Sequence, residues 1–133
     1  MISGQILIVD DNEAVRKSLR SLLSSRPGWK VCGEAVDGLD AIEKAKSLRP
    51  DIVLMDISMP RMNGLEVARA IRQELADAKI LIMSQHDPAS LLPSAIQAGA
   101  NGCVDKSQLA TDLLSSIESL VGSAQARGIA NSD

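Results

Sequence analysis

Asp10 and Asp11 follow the aliphatic run Ile6-Leu7-Ile8-Val9. Asp56 follows Ile52-Val53-Leu54-Met55, Ser84 follows Ile80-Leu81-Ile82-Met83, and Lys106 closes Gly102-Cys103-Val104-Asp105. Brought together, these are three carboxylates, a hydroxyl and an ammonium. Two unit charges about 5 Å apart at an effective dielectric of about 20 repel by roughly 3 kcal/mol. Raised pKa values or a bound cation must offset that cost. Oxygen-only ligands suit Mg²⁺, which keeps several waters and takes a few carboxylates plus phosphate oxygens. Lys106 offers a point charge to an anion, and Ser84 a short donor. Such a set can surround a phosphoryl group, and an aspartate can itself accept one as an aspartyl-phosphate.

The elements between these residues explain why they should meet. Each aliphatic run reads as a strand buried on both faces, and each is followed by a helical pattern. Asn12 caps a helix carrying Val15, Leu19, Leu22 and Leu23 on one face, stopped by Arg26-Pro27-Gly28. Trp29 to Ala35 reads as a weaker edge strand, with Trp29 covering an edge or marking a loop. Leu39 to Leu48 reads as a second helix, residues 57–64 as a loop, and Gly64 to Leu75 as a third helix. Pro88 to Ala98 reads as a fourth, with Leu91, Leu92, Ala95 and Ile96 chiefly in the core. The last helix carries Leu109, Leu113, Ile117, Leu120 and Val121. Five strand–helix units predict an α/β fold: a doubly wound five-stranded parallel sheet with right-handed crossovers and strand order 2-1-3-4-5. Ligands of such sheets bind outside the carboxyl ends of the strands, which is where all five polar residues fall.

Composition narrows the function. The 133 residues make one domain, read as 1–121, with 122–133 a polar tail or the start of a linker. A net charge of −3 argues against coating nucleic acid. Trp29 is the sole aromatic residue, so no stacking platform for bases or flavins exists. One histidine and two cysteines exclude a Cys/His metal site by count. Cys32 and Cys103 fall on opposite sheet edges in this strand order, which opposes a disulfide. No apolar run approaches a membrane span and no signal peptide precedes the first strand, so a reducing cytoplasm is expected.

The pattern resembles the receiver domain of bacterial response regulators, the phospho-acceptor half of two-component signalling. The residues that carry the resemblance are Asp10-Asp11, Asp56 with Met59-Pro60 and Asn63-Gly64 downstream, Ser84 and Lys106, over Gln5 to about Val121. The run Gly99-Ala100-Asn101-Gly102-Cys103-Val104-Asp105-Lys106-Ser107 is most like receivers that precede a helix-turn-helix DNA-binding domain. The resemblance implies a flavodoxin-like fold and a switch in which Asp56 takes a phosphoryl group from a histidine kinase. It implies Mg²⁺, with Mn²⁺ as a substitute, held by Asp10, Asp11, Asp56 and the Ser58 carbonyl. Lys106 would neutralise a phosphoryl oxygen, and Ser84 would bond the group and shift when it arrives. The implied partners are a sensor histidine kinase or phosphotransfer protein, and a second copy through the fourth-helix to fifth-helix face. No membrane and no direct nucleic-acid contact by this domain are expected.

Four positions, at three places, depart from the family pattern. Cys103 stands where an aromatic residue usually turns inward on activation. Ser107 stands where a proline commonly follows the lysine, so a trans Lys106–Ser107 bond is expected. Ser58 and His86 hold the positions that flank the path of attacking water and tune dephosphorylation. The missing aromatic favours one alternative, a degenerate receiver acting as a phosphate-independent interaction module; the complete acidic set opposes it. An aspartyl phosphatase would want a second acid where Ser58 stands. A flavin protein would want a Ser/Thr/Gly-rich phosphate loop and aromatics.

Overall fold

The aliphatic runs are strands of one parallel sheet. The computed structural model describes residues 4–59, 62–85 and 87–132, with side chains as far as 120 and not that of residue 62. Pro60 and His86 lie outside the described residues. The chain order is β1 (Gly4–Val9), α1 (Glu13–Ser24), β2 (Trp29–Ala35), α2 (Gly38–Leu48), β3 (Ile52–Asp56), β4 (Ser58–Met59), β5 (Met62–Asn63), α3 (Gly64–Glu74), β6 (Lys79–Ser84), α4 (Pro88–Gln97), β7 (Gly102–Asp105) and α5 (Leu109–Ser132), with a 3₁₀ turn at Lys106–Gln108. The sheet order is β2-β1-β3-β6-β7, which is the expected 2-1-3-4-5 with β6 and β7 as the fourth and fifth main strands.

Side-chain alternation divides the core into two layers. Leu7, Val9, Val53, Met55, Ile80 and Ile82 pack against α2, α3 and α4 through Ala41, Ala45, Val67, Ile71 and Ala95. Ile6, Ile8, Ile52, Leu54, Leu81, Met83 and Val104 face α1 and α5 through Leu19, Leu23, Leu113 and Ile117. Both faces of the sheet are dry, as the unbroken aliphatic runs require.

Helix starts are fixed by short polar side chains. Asn12, Asp37, Asn63 and Asp87 each accept a backbone N–H of the first turn that follows. Gly64 lets α3 start hard against β3: a Cβ there would lie 2.9 Å from Ile57 Cα. At the opposite end of the sheet Arg72 gathers the chain. Its Nε donates to the Gly99 carbonyl at 2.9 Å, and its Nη1 to the carbonyls of Leu75, Ala76 and Ala78 at 2.9, 2.9 and 2.7 Å. Its Nη2 donates to Asn101 Oδ1 at 2.8 Å, the oxygen that also accepts the Ile80 N–H. Gly99 has φ +100°, and a Cβ there would lie 2.9 Å from Arg72 Cγ, so glycine serves both the turn and the close approach.

Four expectations change. Trp29 is 8% exposed and sits in the α1/α5 layer of the core, because it begins β2 opposite Gly4 with its ring turned inward among Ile6 and Leu23. Residues 58–63 are not a plain loop. Ser58 pairs with Asn63 and Met59 with Met62 as a small antiparallel ladder, with Ser58 exposed and Met59 buried in a two-residue alternation. On α4 only Ala95 is fully buried, while Leu92 and Ile96 are 39% and 51% exposed, since a helix near the β7 edge turns one stripe inward. The backbone of α5 continues to Ser132, so the 122–133 stretch read as a polar tail is helical as far as described. Its alanines favour that, and no proline interrupts it.

Candidate functional site

Asp10 and Asp56 leave the carboxyl ends of neighbouring strands β1 and β3 and turn into the protein: Asp10 is fully buried and Asp56 is 3% exposed. Asp11, one residue on, is exposed. One carboxylate oxygen from each of the three lies within 4.8 Å of the others. Lys106, at the end of β7, spans the gap. Its Nζ is 3.0 Å from Asp56 Oδ2 and 2.9 Å from Asp10 Oδ2, and its side chain is 11% exposed. Three acids and one ammonium leave an excess of two negative charges when all are ionised.

The hydrogen bonds divide unevenly. Asp56 Oδ1 accepts the Ser58 N–H at 3.0 Å and its Oδ2 accepts from Lys106. Asp10 Oδ1 accepts the Asn12 N–H at 2.8 Å. Asp10 Oδ2 is buried with the ammonium 2.9 Å away, so two carboxylates share one cation. Burial raises the Asp10 pKa, against the Asn12 amide and Lys106, which lower it, and with Asp56, which raises it further. Burial alone would lower the Lys106 pKa. The hydrogen bonds and charges of Asp10 and Asp56 outweigh that and raise it.

The donor set fits a hard divalent cation. It is all oxygen and it carries excess negative charge, with two buried carboxylates sharing one ammonium. Asp10, Asp11 and Asp56 are the residues that could hold one.

Ser84 ends β6 at 2% exposure, in register with Asp105 on β7 and one residue beyond Met83, the register partner of Asp56. Ser58 is exposed and meets Asp56 through its amide. Lys106 and Ser107 are joined by a trans bond, as expected. Asp105 accepts both the Ser107 N–H at 2.9 Å and its hydroxyl at 2.7 Å, which tightens the turn under Lys106 and lowers the Asp105 pKa. Beside the lysine a cleft of about 360 Å³ is lined by Asn12, Val15, Gln85, Lys106, Ser107 and Leu109. Cys103 does not join the acids. It is half-buried against the α2–α4 layer, and burial raises its thiol pKa. Cys32 is also a free thiol, on the opposite edge strand.

Sequence reasoning missed Arg16. This α1 residue reaches back to the Asp10 main-chain carbonyl at 2.7 Å and to Glu34 on β2 at 2.9 Å. A single arginine on an amphipathic helix carries no signal of such a contact. No helix among the described residues is long and apolar enough to cross a membrane.

Comparison with known proteins agrees with this geometry. Residues 6–118 match the response regulator receiver domain family. The chain is 40% identical over 115 residues to response regulator UvrY of Escherichia coli K12, covering 86% of this chain and 53% of UvrY. It is 34% identical over 114 residues to transcriptional regulatory protein DegU of Brevibacillus brevis, covering 86% and 48%. The chain thus spans about half the length of the curated relatives it matches. Among solved structures, a LuxR-family two-component response regulator from Aurantimonas sp. SI85-9A1 superposes with a TM-score of 0.86 at 37% identity, over 92% of this chain and 87% of that one. With its strand order, its acidic edge and these matches, the chain belongs to the response regulator receiver domain family of two-component systems.

Proposed function

We propose that this chain is a phosphorylation-controlled switch that accepts a phosphoryl group on Asp56. The observation that carries the reading is the meeting of Asp10, Asp11, Asp56 and Lys106 at one sheet edge. The donor is a phosphohistidine of a sensor kinase or phosphotransfer protein. In the transfer the bond between phosphorus and the imidazole nitrogen breaks, an Asp56 oxygen bonds phosphorus, and the nitrogen keeps the electron pair. Catalysis is positioning and charge neutralisation. Asp10, Asp11, Asp56 and the Ser58 carbonyl would hold Mg²⁺, which supplies charge compensation to the phosphoryl oxygens when bound. Lys106 gives its ammonium to one of those oxygens. Ser84 donates its hydroxyl to the group and carries the change into the segment after β6. Ser58 and His86 tune the rate of loss by hydrolysis.

Transcription regulation through an output domain is supported by the name of transcriptional regulatory protein DegU and by the half-length match to DegU and UvrY. A cytoplasmic site of action follows from the kinase partner.

The test is intact mass after incubation with Mg²⁺ and a small phosphodonor, beside Asp56→Asn. One added phosphoryl in the wild type is expected, absent in the variant and absent when EDTA precedes the donor. No added mass, together with no response to beryllofluoride, would leave a phosphate-independent module instead.

A further inference from the structure

Arg16 approaches the acidic edge from behind. Its Nη1 donates to the Asp10 carbonyl at 2.7 Å, and its Nε to Glu34 Oε1 at 2.9 Å. Glu34 Oε2 pairs in turn with Arg20 Nη1 at 2.8 Å, and Lys44 Nζ donates to the Glu34 main-chain carbonyl. The Arg16 side chain is only 13% exposed, so these charge-assisted bonds are largely shielded from competing water. The oxygen it holds belongs to the peptide that joins Asp10 to Asp11. The Asp10 N–H is already bonded to the Ala35 carbonyl at 3.0 Å, and its Oδ1 accepts the Asn12 N–H. With Arg16 in place, Asp10 is fixed at amide, carbonyl and carboxylate. The guanidinium therefore braces the Asp10–Asp11 peptide, and the orientation of that peptide sets where the Asp11 carboxylate points relative to the anchored Asp10.

We propose that Arg16, oriented by Glu34, is a positioning residue that holds Asp10 and Asp11 in register for a divalent cation. The inference rests on the reading of Asp10, Asp11 and Asp56 as a cation site. Its test has a sign. As a bare charge near three carboxylates, a guanidinium repels a cation, so removing it would tighten binding. As a positioning group, removing it loosens binding. Outer-sphere partners of metal ligands typically contribute 10–100-fold to affinity.

The experiment is a Mg²⁺ titration of the whole chain, followed by the backbone amide shifts of Asp11 and Asn12, with a thermal melt of each variant. Arg16→Gln is expected to weaken Mg²⁺ about tenfold, at the low end of that range. Arg16→Lys keeps the charge and loses the fork, and is expected to recover only part of the affinity. Glu34→Gln leaves Arg16 in place with a weaker anchor, and is expected to lose less than Arg16→Gln. Unchanged or tighter Mg²⁺ binding in Arg16→Gln, with only a lower melting temperature, would overturn the proposal. If Arg16→Gln does not fold, Arg16→Lys and Glu34→Gln decide it: wild-type affinity in both overturns it. A wild type that shows no Mg²⁺ response removes the cation site itself, and is told apart because it appears before any variant is made.

Discussion

At the N-terminal ends of β6 and β7, the Arg72 guanidinium meets five oxygen acceptors, all of them neutral carbonyls or amides. At the C-terminal ends, Lys106 meets two carboxylates and a third lies alongside. Both ends half-bury a cation. One saturates it with dipoles that can go nowhere else. The other leaves charge uncompensated around a group that a ligand can complete. The first arrangement stabilises a fold and the second stores an unmet demand for positive charge, so the same sheet carries its rigidity at one end and its responsiveness at the other.

The comparison can be broken most directly at Arg72. Arg72→Ala is expected to cost about 3 kcal/mol in urea unfolding, since hydrogen bonds from a charged donor to several part-buried carbonyls are lost together. Phosphoryl acceptance per folded molecule should be unchanged. A loss under about 1 kcal/mol would show that water replaces the guanidinium, and the two ends would no longer differ. Lys106→Met should act the other way round. We expect about 2 kcal/mol of destabilisation without divalent cation, below the range for breaking a fully buried pair because the edge opens to solvent. Mg²⁺ should restore much of that, while phosphoryl acceptance is lost; a melt with and without Mg²⁺ checks both. Gly64→Ala drives a methyl onto the Ile57 backbone, between Asp56 and Ser58. An overpacking cost of about 1–2 kcal/mol is expected, with slower phosphoryl acceptance because the Ser58 amide moves off Asp56.

The smallest effect sharpens the electrostatic half. The Asp10 pKa is raised in the fold, so the folded state holds that proton more tightly than the unfolded chain. Its contribution to stability is full below the ordinary carboxylate value and is lost as pH rises through the folded value. Without divalent cation, urea unfolding from pH 4 upward should show a term that declines with pH in wild type and vanishes in Asp10→Asn. A term of opposite sign would mean that Lys106 dominates Asp10. Lys106, also raised, keeps its contribution below its ordinary value and loses it only in strong alkali.

Much of the site was legible because a two-sided strand needs an unbroken aliphatic run, and the residue that ends the run is placed by that fact alone. Asp10, Asp56 and Ser84 were readable in this way, and Lys106 from the short strand Gly102–Asp105 that it follows. Arg72 was not: its partners are mostly main-chain carbonyls, identical in every residue, gathered from two separate turns. Arg16 was hidden for the same reason, since its target at the site is a carbonyl and not a side chain. Trp29 misled because polar residues in β2 suggest a thin edge, while the ring at its start still faces α1 and α5. The helix beyond Val121 was missed because small polar residues are read as tail unless propensity is weighed over the whole stretch.

The placement of Trp29 has an optical consequence. It pairs with Gly4 at the start of β1, and Asp10 follows that strand's end, about 20 Å away at the rise of an extended chain. With no tyrosine or phenylalanine in the chain, all near-ultraviolet emission comes from one indole in the core. Its colour is expected to report whether the chain is folded and, at that distance, not to respond to what binds at the acids, so a single fluorescence trace would hold folding constant while any second probe follows the ligand.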